Sequence, residues 1–187
     1  MKVILASASP RRRELIKALF SDFEVVVADI DESLDEKITP YDGVRMLAER
    51  KGRAVSDKLA DDDALIISSD TLVELEGVAL GKPADEADAA RMLRSLSGKS
   101  HFVRTGVAVR YGNMVKSGVA STEVVFKSLS DEEIAAYVKS GEPMDKAGSY
   151  GIQGAAGAFV ERIDGDMDTV IGLSLALVKK LVDELIG

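Results

Sequence analysis

Two short apolar runs, residues 2–6 (KVILA) and 64–69 (ALIISS), constrain most strongly what this chain can fold into. Each is rich in strand formers and is broken off by polar residues, so each reads as a strand, the second in a buried-strand pattern. Ser-Ala-Ser-Pro after the first run reads as a turn into a helix, with Ser9 as N-cap and Pro10 as the first helical residue. Leu15, Ile16, Leu19 and Phe20 follow at helical spacing. Arg11, Arg12 and Arg13 crowd the first turn, where cations oppose the helix dipole unless an anion lies between.

Residues 23–28 (FEVVVA) read as a second strand, 29–40 as an acidic loop and 41–59 as a helix. Beyond the second run, residues 71–80 continue as a strand or a hairpin through Glu76-Gly77, and Gly81-Lys82-Pro83 ends the pattern. Residues 85–96 are helical, with Gly98 as a stop signal. Alternation over 102–110 and 114–127 around Tyr-Gly-Asn at 111–113 gives an antiparallel pair. Ser130 and Glu133 form a capping box that opens a helix to about Lys139. Residues 148–157 are glycine-rich, 158–163 a short strand and 173–186 a closing amphipathic helix. Strands and helices alternate except at the hairpins, so the expected fold is α/β with a mixed sheet and flanking helices.

A length of 187 residues and a hydrophobic content of 46% suit one domain, 1–187, with room for two lobes. The net charge of −8 disfavours a nucleic-acid-binding surface and requires any anionic substrate to be caught by a local cluster of Lys and Arg. Cysteine is absent, which removes disulfides, thiolate nucleophiles and Cys-ligated zinc and fits a reducing, cytoplasmic setting. The single histidine, His101, rules out a multi-His metal site and reads as a strand-edge surface residue. Oxygen ligands with Mg²⁺ or Mn²⁺ are the remaining metal chemistry. The apolar start of the chain is too short for a signal peptide or a membrane span.

Three places hold residues suited to chemistry. The turn from Ser7 to Arg13 offers backbone N–H groups and guanidinium forks for phosphate oxygens, or else is a basic, solvent-facing turn. Asp70 directly follows an apolar strand, where open α/β sheets place their ligand crevices. It can hold a metal or accept a proton from water, or merely cap a turn. Glu32 is one of several carboxylates in the acidic loop, with Asp29, Asp31, Asp35 and Glu36, and a solvated face accounts for them equally. Lys51 and Lys82 are point charges suited to phosphate, Lys82 being pinned between Gly81 and Pro83. The third place is residues 142–154 (EPMDKAGSYGIQG), where Gln153 offers a donor and an acceptor side by side for the O4 and N3–H edge of uracil or thymine. A tight turn with Tyr150 packed in the core explains the same residues, except for the Asp145-Lys146 pair.

Taken together, LASASPRR at 5–12, SDT at 69–71, GKP at 81–83, EPMDKAGSYGIQG at 142–154 and DTVIGLS at 168–174 resemble the Maf family, in the family's order and over almost the whole chain. The resemblance implies a nucleoside triphosphate pyrophosphatase with an elongated, two-lobed, inosine-triphosphatase-like α/β fold. It further implies a central cleft, a divalent metal requirement and a homodimer. Asp70 matches the family's catalytic acidic residue, and Ser7, Arg11, Arg12, Glu32, Lys51 and Lys82 match its phosphate- and metal-side groups. Arg11, Thr71 and Gln153 match the positions marking the branch that acts on dTTP and UTP; a sister branch prefers 7-methyl-GTP. Ser69 stands where the family usually has Ala, and Ser174 where it usually has Pro. The expected reaction is attack of water on the α-phosphorus, with a metal held by Asp70 and Glu32. Asp145 and Lys146 are expected to pair and order the glycine loop near the base. The alternatives are a non-catalytic, nucleotide-binding regulator of septum formation and a pyrophosphatase that prefers another nucleotide, such as 7-methyl-GTP or a modified one; no nucleic acid and no membrane is expected as a partner.

Overall fold

A computed structural model describes residues 1–35, 37–61 and 63–187. Glu36, one carboxylate of the acidic loop, lies outside the described residues. The elements run β1 (Lys2–Leu5), α1 (Pro10–Ile16), β2 (Glu24–Val25), α2 (Pro40–Leu59), β3 (Ala64–Leu75), β4 (Val78–Leu80) and α3 (Glu86–Leu96). They continue with β5 (Ser100–Tyr111), β6 (Met114–Phe126), α4 (Asp131–Lys139), β7 (Val160–Asp164), α5 (Met167–Ile171) and α6 (Leu175–Ile186). One sheet runs in the order β2-β1-β3-β5-β6-β7, with β4 paired to β3. β1 is parallel to β2 and β3, whereas β4 on β3 and β7 on β6 are antiparallel, so the sheet is mixed as the sequence indicates.

Two compact units divide the chain. The first comprises Met1–Thr71, Thr105–Ala120 and Gly172–Gly187, and the second Leu72–Arg104 and Ser121–Ile171. In the first unit the two apolar runs are buried on both faces. Leu5, Leu65 and Ile67 pack with Ile16 of α1 and with Val178, Leu181 and Leu185 of α6. Ile4, Ala6, Ala64 and Ile66 point the other way, against Val55 of α2. Successive side chains of a strand face opposite sides, so a strand covered by helices on both faces needs an unbroken apolar run. In the second unit Val73, Leu75, Val103, Val124 and Phe126 share a core with Leu93 and Leu96 of α3 and Ile134 and Tyr137 of α4.

Local signals hold at the helix starts. Ser9 accepts from Arg12 N, and Ser130 and Glu133 close a reciprocal capping box. Other readings need correction. The closing helix, expected from residue 173, starts at Leu175, because Ser174 caps it by accepting from Leu177 N, a role not expected from the sequence. The expected strand at 23–28 shrinks to Glu24–Val25, because β1, its partner among the described residues, ends at Leu5. The helix of the arginine turn ends at Ile16, where Ala18 N and Leu19 N bond three residues back to Leu15 O and Ile16 O. The strand expected at 158–163 starts at Val160, since a 3₁₀ turn occupies Ala155–Phe159. α5, of five residues, is too short to show a period and was not expected. No helix among the described residues is long and apolar enough to cross a membrane.

Candidate active site

In the first unit β1 lies between β2 and β3, so the chain leaves it toward one side of the sheet and returns on the other. Ligands of open α/β sheets bind outside the carboxyl ends of the strands at such a switch. Lys2 to Leu5 pair with Ala64 to Ile67 in parallel register, so Ser7 and the arginine turn leave β1 at the same end at which Asp70 extends β3.

Lys51 joins the two candidate carboxylates there. Its ammonium lies 2.6 Å from Asp70 Oδ1 and 2.7 Å from Glu32 Oε1. Only 13% of the Lys51 and of the Asp70 side chain is exposed, against 57% for Glu32. The contact is fixed by how closely α2 lies on the sheet. Ser68, fully buried two residues before Asp70, donates to Ala48 O at 2.7 Å. A Cβ on Gly52 would fall 2.8 Å from Ser68 Oγ, and one on Gly106 of β5 only 2.3 Å from Val44 O. Any larger residue at either position pushes away the helix that carries Lys51.

The three arginines part company. Arg11 and Arg13 are exposed, while Arg12 turns inward. Arg12 donates through Nε to Gly172 O at 2.7 Å, through one terminal nitrogen to Thr71 Oγ1 at 3.0 Å and through the other to Ser7 Oγ at 3.4 Å. Burial lowers the Arg12 pKa and the Asp70 charge opposes that shift. Guanidinium remains cationic regardless, and its bonds fix the plane it presents to an anion. Sequence reasoning missed the centre of this arrangement. Gly172 O accepts from Arg12, from Ser69 Oγ at 2.9 Å and from Thr71 Oγ1 at 3.4 Å. Its residue has φ of 130°, which favours glycine. Thr105, 3.0 Å from Thr71 Oγ1, was missed as well.

The remaining candidates belong to the second unit. Lys82 follows β4 and is exposed. Lys146 pairs with Asp145 at 2.8 Å and also donates to Glu142 O at 2.7 Å. Gln153 is exposed at a turn closed by Gly154 N donating to Gly151 O, and among the described residues its amide has no hydrogen-bond partner. Tyr150 is core, as its packing alternative held.

His101 requires a correction. It is 1% exposed and stacked edge-on to Phe126 and Tyr150, with Nε2 at 2.8 Å from Tyr150 Oη. β5 begins at Ser100, which turns His101 and Val103 inward and leaves Phe102 outside. Burial lowers its pKa to about 4.

Among the described residues no group of three or more His, Cys, Asp or Glu stands ready for a metal. Glu32 and Asp70, both within hydrogen-bonding distance of one nitrogen, are the pair able to share a cation. Mg²⁺ sites commonly combine one or two carboxylates with substrate oxygens and water, which this donor set fits.

An α/β sheet with carboxylates and a guanidinium gathered at its strand switch is a general build of nucleotide-handling proteins. The chain belongs to the Maf family, whose model, described as Maf-like protein, matches residues 2–185. It is 46% identical to a protein of Clostridium beijerinckii named dTTP/UTP pyrophosphatase, over 99% of this chain and all of that one. It is 49% identical to the protein of that name from Pelotomaculum thermopropionicum, over 94% of this chain and 92% of the relative. Among solved structures, the Staphylococcus aureus Ham1 protein is similar at 17% identity over 67% of this chain and 72% of that one. Its TM-score of 0.48 is too low to bear on activity.

Proposed function

We propose that this chain hydrolyses nucleoside triphosphates, dTTP and UTP foremost, to the monophosphate and pyrophosphate. The observation that carries the reading is the largely buried Asp70 carboxylate held by Lys51, with Glu32 on the same ammonium. The names of the relatives in Clostridium and Pelotomaculum support the choice of nucleotide.

Asp70 orients water for attack on the α-phosphorus and takes its proton. Lys51 fixes that carboxylate in place. Arg12, set by Gly172, Thr71 and Ser7, and the exposed Arg11 neutralise phosphate charge as the transition state spreads it outward, and Lys82 is a further point charge for phosphate. A divalent cation, Mg²⁺ or Mn²⁺, held by Asp70 and Glu32 supplies charge neutralisation and orients substrate when bound. Gln153 reads the pyrimidine edge, Thr71 and Arg11 contribute to that choice, and the Asp145-Lys146 pair orders the loop. Both units serve as one nucleotide pyrophosphatase domain spanning 1–187, acting in the cytoplasm as a homodimer on small nucleotides.

The test is a nucleotide panel of UTP, dTTP, CTP, GTP and 7-methyl-GTP with Mg²⁺ or Mn²⁺ and identification of the products. UMP and pyrophosphate from UTP are expected. UDP and phosphate would refute the site of attack, dominance of 7-methyl-GTP would refute the substrate choice, and binding without turnover would favour a regulator.

A further inference from the structure

Within residues 142–154, Gln153 has a role and Glu142 has none, yet Glu142 is the side chain around which the turn is built. Its Oε1 accepts from Tyr137 Oη at 3.1 Å, and its Oε2 accepts from Ala155 N at 3.3 Å. Tyr137 Oη in turn accepts from Gly151 N at 3.3 Å. Carboxylate and phenol therefore hold the backbone on both sides of Gln153. Glycines make room for them: a Cβ on Gly154 would lie 1.8 Å from Glu142 Oε1, and one on Gly151 would lie 2.6 Å from Lys146 Cε. Lys146 closes the other end by donating to Glu142 O. Tyr137 is buried edge-on against Phe159 of the same core, so the clamp is anchored to α4 and not to solvent. Burial raises the Tyr137 pKa, which keeps the phenol a donor to Glu142. What this frame presents outward is the exposed amide of Gln153.

We infer that Glu142 is a positioning residue for pyrimidine recognition, clamping with Tyr137 the turn that presents Gln153. This inference rests on the reading of Gln153 as the base-contacting residue. An amide recognises a base edge only where its donor and acceptor are held in register, so a loosened turn loses affinity and selectivity while the phosphate groups and Asp70 stay as they were.

Steady-state kinetics on UTP and CTP with Mg²⁺ test it, using Glu142→Ala, Glu142→Gln, Tyr137→Phe, Gln153→Ala and the Gln153→Ala/Glu142→Ala double variant. Glu142→Ala is expected to raise KM for UTP about tenfold with kcat changed less than about twofold. Tyr137→Phe, which keeps the packed ring, moves KM the same way, and Glu142→Gln recovers part of the loss. In the Gln153→Ala background, Glu142→Ala changes KM by less than about twofold. If Gln153→Ala lowers the preference for UTP over CTP while Glu142→Ala and Tyr137→Phe keep wild-type KM, the clamp is refuted and the base reading stands. If Gln153→Ala leaves the preference unchanged, the base reading falls and the clamp with it. Additive losses in the double variant, or kcat falling with the thermal midpoint, make Glu142 a structural residue and overturn the inference.

Discussion

Gly52→Ala tests whether the approach of α2 to β3 sets the Lys51–Asp70 contact. The new Cβ meets Ser68 Oγ at 2.8 Å, where ordinary contact begins near 3.4 Å. That hydroxyl is buried and committed to Ala48 O, so the helix must retreat by about half an ångström. Overpacking costs about 1–3 kcal/mol and alanine returns about 1 kcal/mol of helix propensity, leaving a net loss of up to about 2 kcal/mol. Activity should suffer more than stability, because Lys51 precedes the altered residue and Asp70 follows Ser68 by two positions. Misplacement by about 1 Å costs on the order of a hundredfold, so about tenfold in kcat/KM is expected here. Urea denaturation and pyrophosphate release measure the two quantities. Adding Ser68→Ala should restore activity, since the next nearest atom, Ser68 Cβ, lies at 3.6 Å. Wild-type kcat/KM in Gly52→Ala, or no recovery in the double variant, would refute the spacing argument.

Other expectations follow from the same geometry. His101 is held near pH 4 by burial, below its ordinary 6.5, so protonation favours the unfolded chain. Stability is unaffected above pH 6.5 and falls between 6.5 and about 4; the wild type should lose about 3 kcal/mol more over that window than His101→Phe. Denaturation curves across pH check this, and equal acid losses would contradict it. Arg12→Lys cannot reproduce the three-way bonding to Gly172, Thr71 and Ser7 and should lose at least about tenfold in kcat/KM for UTP; an unchanged value would show that the fork is dispensable. Glu32→Gln should raise the Mg²⁺ concentration needed for half-maximal rate by at least about tenfold, the scale seen even for outer-shell partners of a metal. An unchanged requirement would remove Glu32 from the cation.

Local chemistry wrote much of the fold in plain form. Ser9 and Ser130 cap helices because a short hydroxyl reaches an orphan N–H, and ALIISS is unbroken because helices cover both its faces. Strand bounds were less legible: β5 starts at Ser100, two residues before the expected start, which brings His101 inside the alternation on the buried side. Edge pairing was less legible still, since the length of β2 depends on where β1 stops. For the candidate site, the residues were nameable mainly through likeness to a family, because 19 positions separate Lys51 from Asp70. Gly172 was invisible, as it acts through a carbonyl that every residue has.

Single-turnover hydrolysis of UTP by Asp70→Asn, with Mg²⁺ saturating and UMP formation followed directly, addresses the proposed chemistry most closely. Asparagine keeps the volume beside Lys51 but neither bears the charge nor accepts the proton. The rate should fall at least about a hundredfold, about 2.7 kcal/mol of barrier, with the melting transition intact. UMP appearing at the wild-type rate would mean that water is activated elsewhere.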